Sequence, residues 1–388
     1  MAATPQTNAV ERRRGLIAVT VALAVVSLIH GLTLPMLGLV LEHQGVEKSL
    51  IGLNAAVQYL AVFAAAPFVS RLLRDAGPAV LMFWSVVVAA IVFCLLPIKV
   101  DVTVWFVLRF VLGTSQAFLW IAGEAWISNL ADEHRRGRIV AVYGAVTAGG
   151  FALGPLVLSI LGSDGWTPFL VAAAVTLSAT IPLAVTLRGN TRLKGRTTGS
   201  FLHYAFRTPV ATSVYFCFAA CDAVLLTFLP IYAVHVGHSE RIGVTLLTVM
   251  AVGAIISQYP IGQLADRING MAMTMGAVIV GVIALLLTPF AVHHAVLGYA
   301  LLFTLGCSFG AMYTLSLVLI GRRFKGAELG AAATVRSLVF CIGSSVGPPL
   351  VGWSMELFGA HALPLVMAMM FLLTIPIAAA GMGRKWIA

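Results

Sequence analysis

The chain has 388 residues, of which 60% are hydrophobic and only 10% are charged, and its mean hydropathy is +1.00. Soluble domains carry about 25% charged residues, so this chain has too little polar material to cover a water-soluble surface. The composition therefore excludes a soluble globular protein and predicts an integral membrane protein.

Twelve segments are long and apolar enough to cross a bilayer, which takes roughly 20 mainly apolar residues each. The short segments of alternating hydrophobicity that are typical of membrane β-barrels are not found. The predicted fold class is therefore all-α and integral to the membrane, with twelve transmembrane helices. In chain order, the predicted spans are about 15–40, 49–71, 79–98, 103–130, 138–161, 166–187, 209–235, 242–265, 271–290, 295–320, 328–353 and 360–382.

The Lys and Arg residues are distributed unevenly between the two sides of the predicted helices. With twelve spans both termini share one side, and nineteen of the 24 Lys and Arg residues fall on it. Because cytoplasmic loops carry the excess of positive charge, both termini are predicted to be cytoplasmic, in a multi-pass protein of the cell membrane, namely the bacterial inner membrane. The net charge of +10 follows from this rule and does not indicate nucleic-acid binding.

A polar stretch from Arg188 to Arg207 separates the first six spans from the last six. Short motifs in the first half of the chain recur in the second half. Gly150-Phe-Ala-Leu-Gly-Pro155 in the fifth span matches Gly343-Ser-Ser-Val-Gly-Pro348 in the eleventh. The repeat predicts two pseudo-symmetric six-helix bundles, an arrangement typical of transporters whose site lies near the bilayer midplane. The predicted division is a cytoplasmic tail (1–14), a first bundle (15–187), a cytoplasmic linker (188–208), a second bundle (209–382) and a second cytoplasmic tail (383–388).

Four full charges lie inside the predicted spans, namely Arg109, Glu124, Asp222 and Arg336. Such charges are costly in a bilayer, and they usually face the bundle interior or a water-filled cavity. Desolvation raises the pKa of a carboxylate and a nearby cation lowers it, so protonation can follow solvent access. We therefore predict that Glu124 and Asp222 couple transport to protons and that Arg109 modulates them, with His30 in the first span as a further candidate.

The fourth span combines several of these groups on one face. At about 100° per residue, Arg109, Gly113, Gln116, Trp120 and Glu124 fall within a stripe roughly 80° wide. Arg109 and Glu124 are separated by about 22 Å along the helix, so each needs another partner. The duplicated span lacks both charges, which favours a specialised role.

Other roles remain open for some of these charges. Arg109 is equally well explained as a structural hydrogen-bond anchor, and Glu124 as a latch to Arg135 or Arg138. Arg336 is a candidate either for a gating contact or for an anion site in the cavity.

The remaining candidates for a substrate cavity are polar or aromatic residues within the spans. Most residues of this kind form hydrogen bonds between helices, which is the alternative for each of them. A cavity with apolar and aromatic walls and a few polar anchors suits an amphipathic or modestly polar small molecule. The cysteines show no metal-ligand spacing, so neither a metal nor a cofactor is predicted. The candidates are Gln116, Trp120, Asn54, Gln58, Tyr59, Gln258, Tyr259, Tyr313 and Arg336.

Several motifs resemble those of the major facilitator superfamily. Gly262-Gln-Leu-Ala-Asp-Arg-Ile-Asn269 is similar to that family's loop signature, although Asn269 replaces its final glycine. Arg109-Phe-Val-Leu-Gly113 resembles the fourth-helix motif, and the fifth-helix glycines resemble a motif of proton-driven antiporters. The resemblance covers essentially the whole chain and is strongest to bacterial proton-driven exporters of drugs and small molecules.

The resemblance also implies gating roles for loop and helix residues. In the first-half loop, Arg74-Asp75 inverts the expected order of acid and base, and Asn129 occupies the position of a usual acid. The first-half latch is therefore in doubt. The residues with implied gating roles are Arg74, Asp75, Asp266, Arg267, Gly150, Gly154, Pro155, Gly347 and Pro348.

The predicted function is proton-coupled export of a small molecule by alternating access, performed by a monomer whose partners are the substrate, protons and the lipid bilayer. Uptake by symport or by facilitated diffusion is the alternative on the same fold. A non-transporting receptor or scaffold is a remote alternative. An enzyme is not predicted, because metal-cluster, nucleophile-elbow and P-loop patterns are not found.

Overall fold

The computed structural model describes residues 9–130, 136–187, 207–265, 267–291, 294–324 and 327–377. Within these ranges every regular element is helical, which confirms the predicted fold class. The helices are α1 (Ala9–His43), α2 (Lys48–Asp75), α3 (Pro78–Leu95), α4 (Val102–Leu130), α5 (Arg136–Leu161), α6 (Thr167–Ser178), α7 (Thr180–Thr186), α8 (Pro209–His235), α9 (Glu240–Ala265), α10 (Gly270–Ala291), α11 (Ala295–Arg323), α12 (Ala327–Phe358) and α13 (Ala362–Leu372).

In the described part of the chain, eleven helical segments are long and apolar enough to cross a membrane. Helices α6 and α7 together form one of them, Thr167–Thr186. The predicted twelfth span corresponds to the shorter apolar segment Ala362–Ile377, and residues 378–382 of that prediction lie outside the described ranges.

Helix α4, which carries most of the predicted polar stripe, is fixed at its start by local contacts. Asp101 Oδ1 accepts hydrogen bonds from the backbone amides of Thr103 at 2.9 Å and Val104 at 3.3 Å. Hydrogen bonding from Lys99, and then from these two amides, holds the pKa of Asp101 below its usual value. One turn later the buried Trp105 donates its indole N–H to the carbonyl of Leu96 at 3.1 Å, which joins α4 to the end of α3.

The repeated glycine–proline motif makes the same kind of contact in both halves of the sequence. A Cβ added at Gly154 would lie 2.4 Å from the carbonyl oxygen of Leu28, so α5 packs closely on α1. A Cβ added at Gly347 would lie 2.3 Å from the carbonyl oxygen of Ala220, so α12 packs closely on α8. Small residues at these positions let the helix backbones approach each other.

The contacts divide the chain into two units. The first comprises residues 1–33, 61–154 and 164–197, and the second comprises 34–60, 155–163 and 198–388. The second unit thus includes the end of α1, the start of α2 and the end of α5. The division into bundles at the linker 188–208 stays a prediction, and most of that linker lies outside the described residues.

Candidate functional site

In the first unit, α1 and α4 bring a histidine, an amide and a guanidinium together. The Gln116 side chain hydrogen-bonds the His30 ring, and the charge of Arg109 acts on the same ring. Arg109 is 1% exposed and Gln116 is 4% exposed. On its other side the His30 ring lies 5.8 Å from the ring of Phe151 in α5, measured between centroids. His30 of α1 therefore forms one cluster with Arg109 and Gln116 of α4, although the two helices are far apart in the sequence.

The lower part of the predicted α4 stripe does not join this cluster. Trp120 is half-buried against the apolar core of the first unit. Glu124 has an exposed side chain, although Ala122 and Gly123 beside it are buried. The latch partners predicted for Glu124, namely Arg135 and the side chain of Arg138, lie outside what the structure describes.

In the second unit, Asp222 places a carboxylate in the most buried of the spanning helices. Its neighbours along α8, Cys221 and Ala223, are fully buried, and Asp222 itself is half-buried. Within the described ranges no hydrogen bond or ion pair is made by its carboxylate. Tyr215 lies seven residues earlier, which is two helical turns, so both residues occupy one face of α8 about 10 Å apart along the axis.

The polar candidates of α2 are buried in the second unit. The side chains of Asn54, Gln58 and Tyr59 are 0%, 1% and 3% exposed. Both polar atoms of the Asn54 amide are buried without a hydrogen-bond partner in the described part of the chain. The Tyr59 ring meets the Phe340 ring of α12 edge-on, with 6.2 Å between centroids.

Arg336 of α12 lies between two tyrosines. Its guanidinium carbon is 3.7 Å from the centroid of the Tyr215 ring and 4.6 Å from that of Tyr313. The stacked rings of Tyr215 and Phe218, with centroids 5.5 Å apart, extend this aromatic wall along α8. The predicted candidates Tyr313 and Arg336 therefore share a site, to which Tyr215, missed in the sequence, also contributes.

The candidates on α9 are placed differently. Gln258 is half-buried, whereas Tyr259 is 74% exposed on the same strip as the exposed Ile255 and Ile256. The Tyr259 hydroxyl accepts a hydrogen bond from the Gln263 amide on that outer face, at 2.9 Å. Tyr259 therefore faces away from the helix contacts of its unit and does not join the other candidates.

The loop residues with implied gating roles are exposed where they are described. Arg74 and Asp75 end α2 with exposed side chains, and Asp75 has Arg71 of its own helix 3.9 Å away. Arg267 is exposed, and Asp266 lies outside the described residues.

A network of charged side chains was not predicted from the sequence. It consists of Glu42 and His43 at the end of α1, Lys48 at the start of α2, His235 at the end of α8, and Glu240 at the start of α9. We call these five residues the distal network. His43 pairs with Glu240, the His235 ring contacts Glu42 at 2.6 Å, and Lys48 lies 3.6 Å from Glu42.

Close backbone contacts surround the distal network within the second unit. A Cβ added at Gly52 would lie 2.2 Å from the carbonyl oxygen of Pro348, and one added at Gly352 would lie 2.2 Å from that of Lys48. The backbone amide of Lys48 also donates to the Glu356 carboxylate at 2.9 Å. The start of α2 is therefore held tightly against α12.

A family model described as the Major Facilitator Superfamily matches residues 19–348. The chain belongs to this superfamily. It is a multi-pass membrane transporter rather than an enzyme, and its partner is a small-molecule substrate.

Comparisons with single proteins agree with the family. The chain is 26% identical over 337 residues to "Uncharacterized MFS-type transporter YfkF" of Bacillus subtilis (strain 168), covering 85% of each chain. It is 26% identical over 270 residues to the MFS-type transporter YcaD of Escherichia coli (strain K12 / DH10B), covering 68% of this chain and 69% of YcaD.

Two solved structures share the fold. The nucleoside transporter NupG gives a TM-score of 0.77 at 13% identity, over 94% of this chain and 99% of NupG. A bacterial homolog to human lysosomal transporter Spinster, in an inward-facing and occupied conformation, gives 0.74 at 14% identity over 96% of each chain. The major facilitator fold is thus confirmed.

We predict that the contacts of the distal network separate when this end of the helices opens during transport. We expect the double substitution Glu42→Gln and Glu240→Gln to favour opening by about tenfold, since partly exposed ion pairs are each worth about 1 kcal/mol or less. The measurement is the rate at which a membrane-impermeant maleimide labels a cysteine placed at Ser163, whose hydroxyl contacts Glu240 at 2.7 Å, in a chain without other cysteines.

The matched control for this prediction is Glu47→Gln. Glu47 is exposed and precedes Lys48 in the sequence, and its carboxylate accepts a hydrogen bond from the Ser49 hydroxyl at 3.4 Å. A labelling rate that rises equally in the control and in the double variant would show that the distal network does not hold this end closed.

Proposed function

We propose that the protein is a proton-coupled exporter, which moves a small molecule out of the cell in exchange for protons by alternating access. The observation that supports proton coupling best is Asp222. A charged side chain inside a spanning helix costs about 2.5–3.5 kcal/mol on insertion scales, and described residues offer Asp222 no cation or hydrogen-bond donor. A carboxylate so placed can remain in the membrane by holding a proton, and it releases that proton where water reaches it.

The cluster of Arg109, Gln116 and His30 has a different role in this proposal. Arg109 carries a permanent charge, because the guanidinium of arginine is not deprotonated in proteins. It therefore fixes the electrostatic field around His30 and Gln116, and it does not carry the proton itself. Glu124, with its exposed side chain on α4, is retained as a second proton-coupling candidate.

The direction of export rests on α5. Its Gly150, Gly154 and Pro155 resemble the motif of proton-driven antiporters, and both glycines lie against carbonyl groups of α1. Uptake on the same fold is the alternative, because neither the fold nor Asp222 sets the direction. We further propose a monomer in the bacterial inner membrane, with cytoplasmic termini and two bundles (15–187 and 209–382) that rock about the cavity.

Purified protein in proteoliposomes loaded with a pH-sensitive dye tests the coupling. Compounds of several chemical classes are added outside, and the internal pH is followed. Antiport predicts that the interior becomes alkaline as a compound enters, because protons leave in exchange. Symport predicts the opposite change. A labelled compound that enters without any change of internal pH, under conditions where the membrane potential is clamped, would contradict proton coupling.

A further inference from the structure

We propose that Arg336 is the docking point for a negatively charged group on the transported molecule, so that the substrate class is organic anions bearing a carboxylate or a phosphate. The inference deepens the proposed function and rests on it in one respect, namely that the bound molecule is taken to be the one transported. The site lies entirely within the second unit, among α8, α11 and α12.

The first observation concerns which atoms of Arg336 are left without partners. Nε and Nη2 are both buried, and neither has a hydrogen-bond partner in the described part of the chain. These two nitrogens form one edge of the guanidinium, and their N–H bonds run parallel. That edge matches the two oxygens of a carboxylate or phosphate, which arginine binds through paired, charge-assisted hydrogen bonds. A buried donor without an acceptor is costly, so the edge is completed by a ligand.

The second observation is that the aromatic contacts hold this edge in place. Tyr215 and Tyr313 lie against the guanidinium carbon at 3.7 and 4.6 Å. Contacts over the ring faces stabilise the cation, and Nε and Nη2 remain without a hydrogen-bond partner in the described part of the chain. The arrangement positions the charge while leaving its hydrogen-bonding edge available. An arginine whose role was only to join helices would direct these donors at carbonyl groups.

The third observation is the cavity beside the guanidinium. It is small, with a volume of about 10 Å³, and is lined by Arg336 and Tyr215 together with small and aliphatic side chains, including Ala211, Ala332 and Val339. Thr208 and Thr212 at the start of α8 add hydroxyl groups to the wall. One cation in an otherwise neutral wall selects for one anionic group.

The charge balance also favours an anionic ligand. In the residues that the structure describes, no carboxylate pairs with Arg336. Asp222, on the same face of α8 as Tyr215, lies about 10 Å further along the helix axis, too far for a direct pair at the level of Tyr215. The positive charge is therefore compensated by the bound molecule.

The test uses benzoate and phenyl phosphate as probes, with benzamide as the neutral analogue of benzoate. Purified full-length protein in detergent is titrated with each probe at one fixed pH and ionic strength, and binding is followed by the shift of the thermal unfolding midpoint. We expect benzoate or phenyl phosphate to bind and benzamide to bind at least about tenfold more weakly, because it lacks the charge. A response to benzoate alone assigns a carboxylate, and one to phenyl phosphate alone a phosphate.

Two substitutions show whether Arg336 is responsible. Arg336→Met should weaken binding of the anionic probe by about tenfold or more, and Arg336→Lys should give an intermediate loss, because lysine keeps the charge but not the paired donors. Arg241→Gln removes an equal charge from an exposed position at the start of α9 and should leave binding unchanged. If Arg336→Met does not fold, the wild-type comparison of benzoate with benzamide and the Arg336→Lys variant still decide.

Several outcomes would overturn the proposal. These are equal binding of benzoate and benzamide, no binding of either anion, or anion affinity that is unchanged in folded Arg336→Met. Competition with lipid is a further outcome. If the anionic probe binds only in micelles without anionic phospholipid, and adding that lipid displaces the probe, the site is reassigned to a lipid headgroup. Because no proton gradient is present, a failure of proton coupling leaves these results unaffected, and the two proposals fail separately.

Discussion

Replacing Gly52 with valine is expected to abolish transport while leaving a folded protein in the membrane. A Cβ at this position would lie 2.2 Å from the carbonyl oxygen of Pro348, well inside the roughly 3.3–3.6 Å of even a favourable carbon–oxygen contact. Since the Cβ is bonded directly to the α2 backbone and the oxygen belongs to the α12 backbone, neither can move aside alone. The variant should therefore be unable to bring α2 against α12, and the cycle should stop with this end open.

The trapped state can be measured directly. We expect a cysteine at position 54, two residues from Gly52 on α2 and fully buried here, to react with a membrane-impermeant maleimide in the Gly52→Val variant. The wild-type background should protect it. Reagent added separately to each face of sealed vesicles also identifies which face this end of the helices meets. Transport is measured in parallel and should fall to the rate of empty vesicles.

The controls separate a block of closure from general damage. Gly276→Val introduces the same side chain into α10, where an added Cβ meets nothing within 4 Å, and it should transport normally. Gly352→Val introduces a clash in the same contact between α2 and α12, this time from the α12 side. It should reproduce the effect of Gly52→Val, because its Cβ would lie 2.2 Å from the Lys48 carbonyl oxygen. Normal transport by Gly52→Val would show that the close contact is not required in the cycle.

The sequence was sufficient to predict the helices and part of their packing. The spans could be located from the length of the apolar segments and from the charged residues between them, because a bilayer requires apolar segments of sufficient length and makes charges inside them costly. Small residues let helix backbones approach each other, so the matched motifs ending at Pro155 and Pro348 favour close packing in both halves, and the structure shows it at Gly154 and Gly347. Glycine at a close contact is recognisable because any larger residue would be excluded from that position.

The arrangement of side chains between helices was less predictable. Helical periodicity places Tyr259 and Gln258 on a helix but does not say which neighbour each face meets, and Tyr259 faces outward. The distal network was missed for a related reason. Glu42 and His235 lie at the ends of different helices, and only the fold brings them within 2.6 Å. In the sequence they appear as ordinary loop charges.

Asp222→Asn is expected to abolish accumulation driven by a pH gradient while preserving exchange of substrate across the membrane. Asparagine has nearly the size of aspartic acid and neither binds nor releases a proton at this position, so the variant can exchange one substrate molecule for another but not substrate for a proton. The helix should fold as before, because described residues provide no cation whose pairing with Asp222 would be lost. The two activities should therefore separate, as they would not in a variant that was merely unstable.

The size of the effect follows from the gradient. Each pH unit corresponds to about 1.36 kcal/mol per proton, so two units allow an accumulation of about 100-fold for exchange of one proton per substrate. In Asp222→Asn the accumulation ratio should fall to about one, whereas exchange between labelled and unlabelled substrate continues near the wild-type rate. Asp164→Asn makes the same chemical change at an exposed position between α5 and α6 and should retain full accumulation.

The position of Asp222 also determines what a negative result would mean. Asp222 shares a face of α8 with Tyr215, about 10 Å along the axis, and Tyr215 lies against Arg336, so an acid and a cation border one surface. A proton on Asp222 makes that surface more positive, so binding of proton and anion together would give symport, the alternative on this fold, whereas antiport requires the proton to displace the substrate. If Asp222→Asn accumulates substrate as the wild type does, proton coupling must be assigned to another group, and Glu124 on α4 is the next acid to substitute.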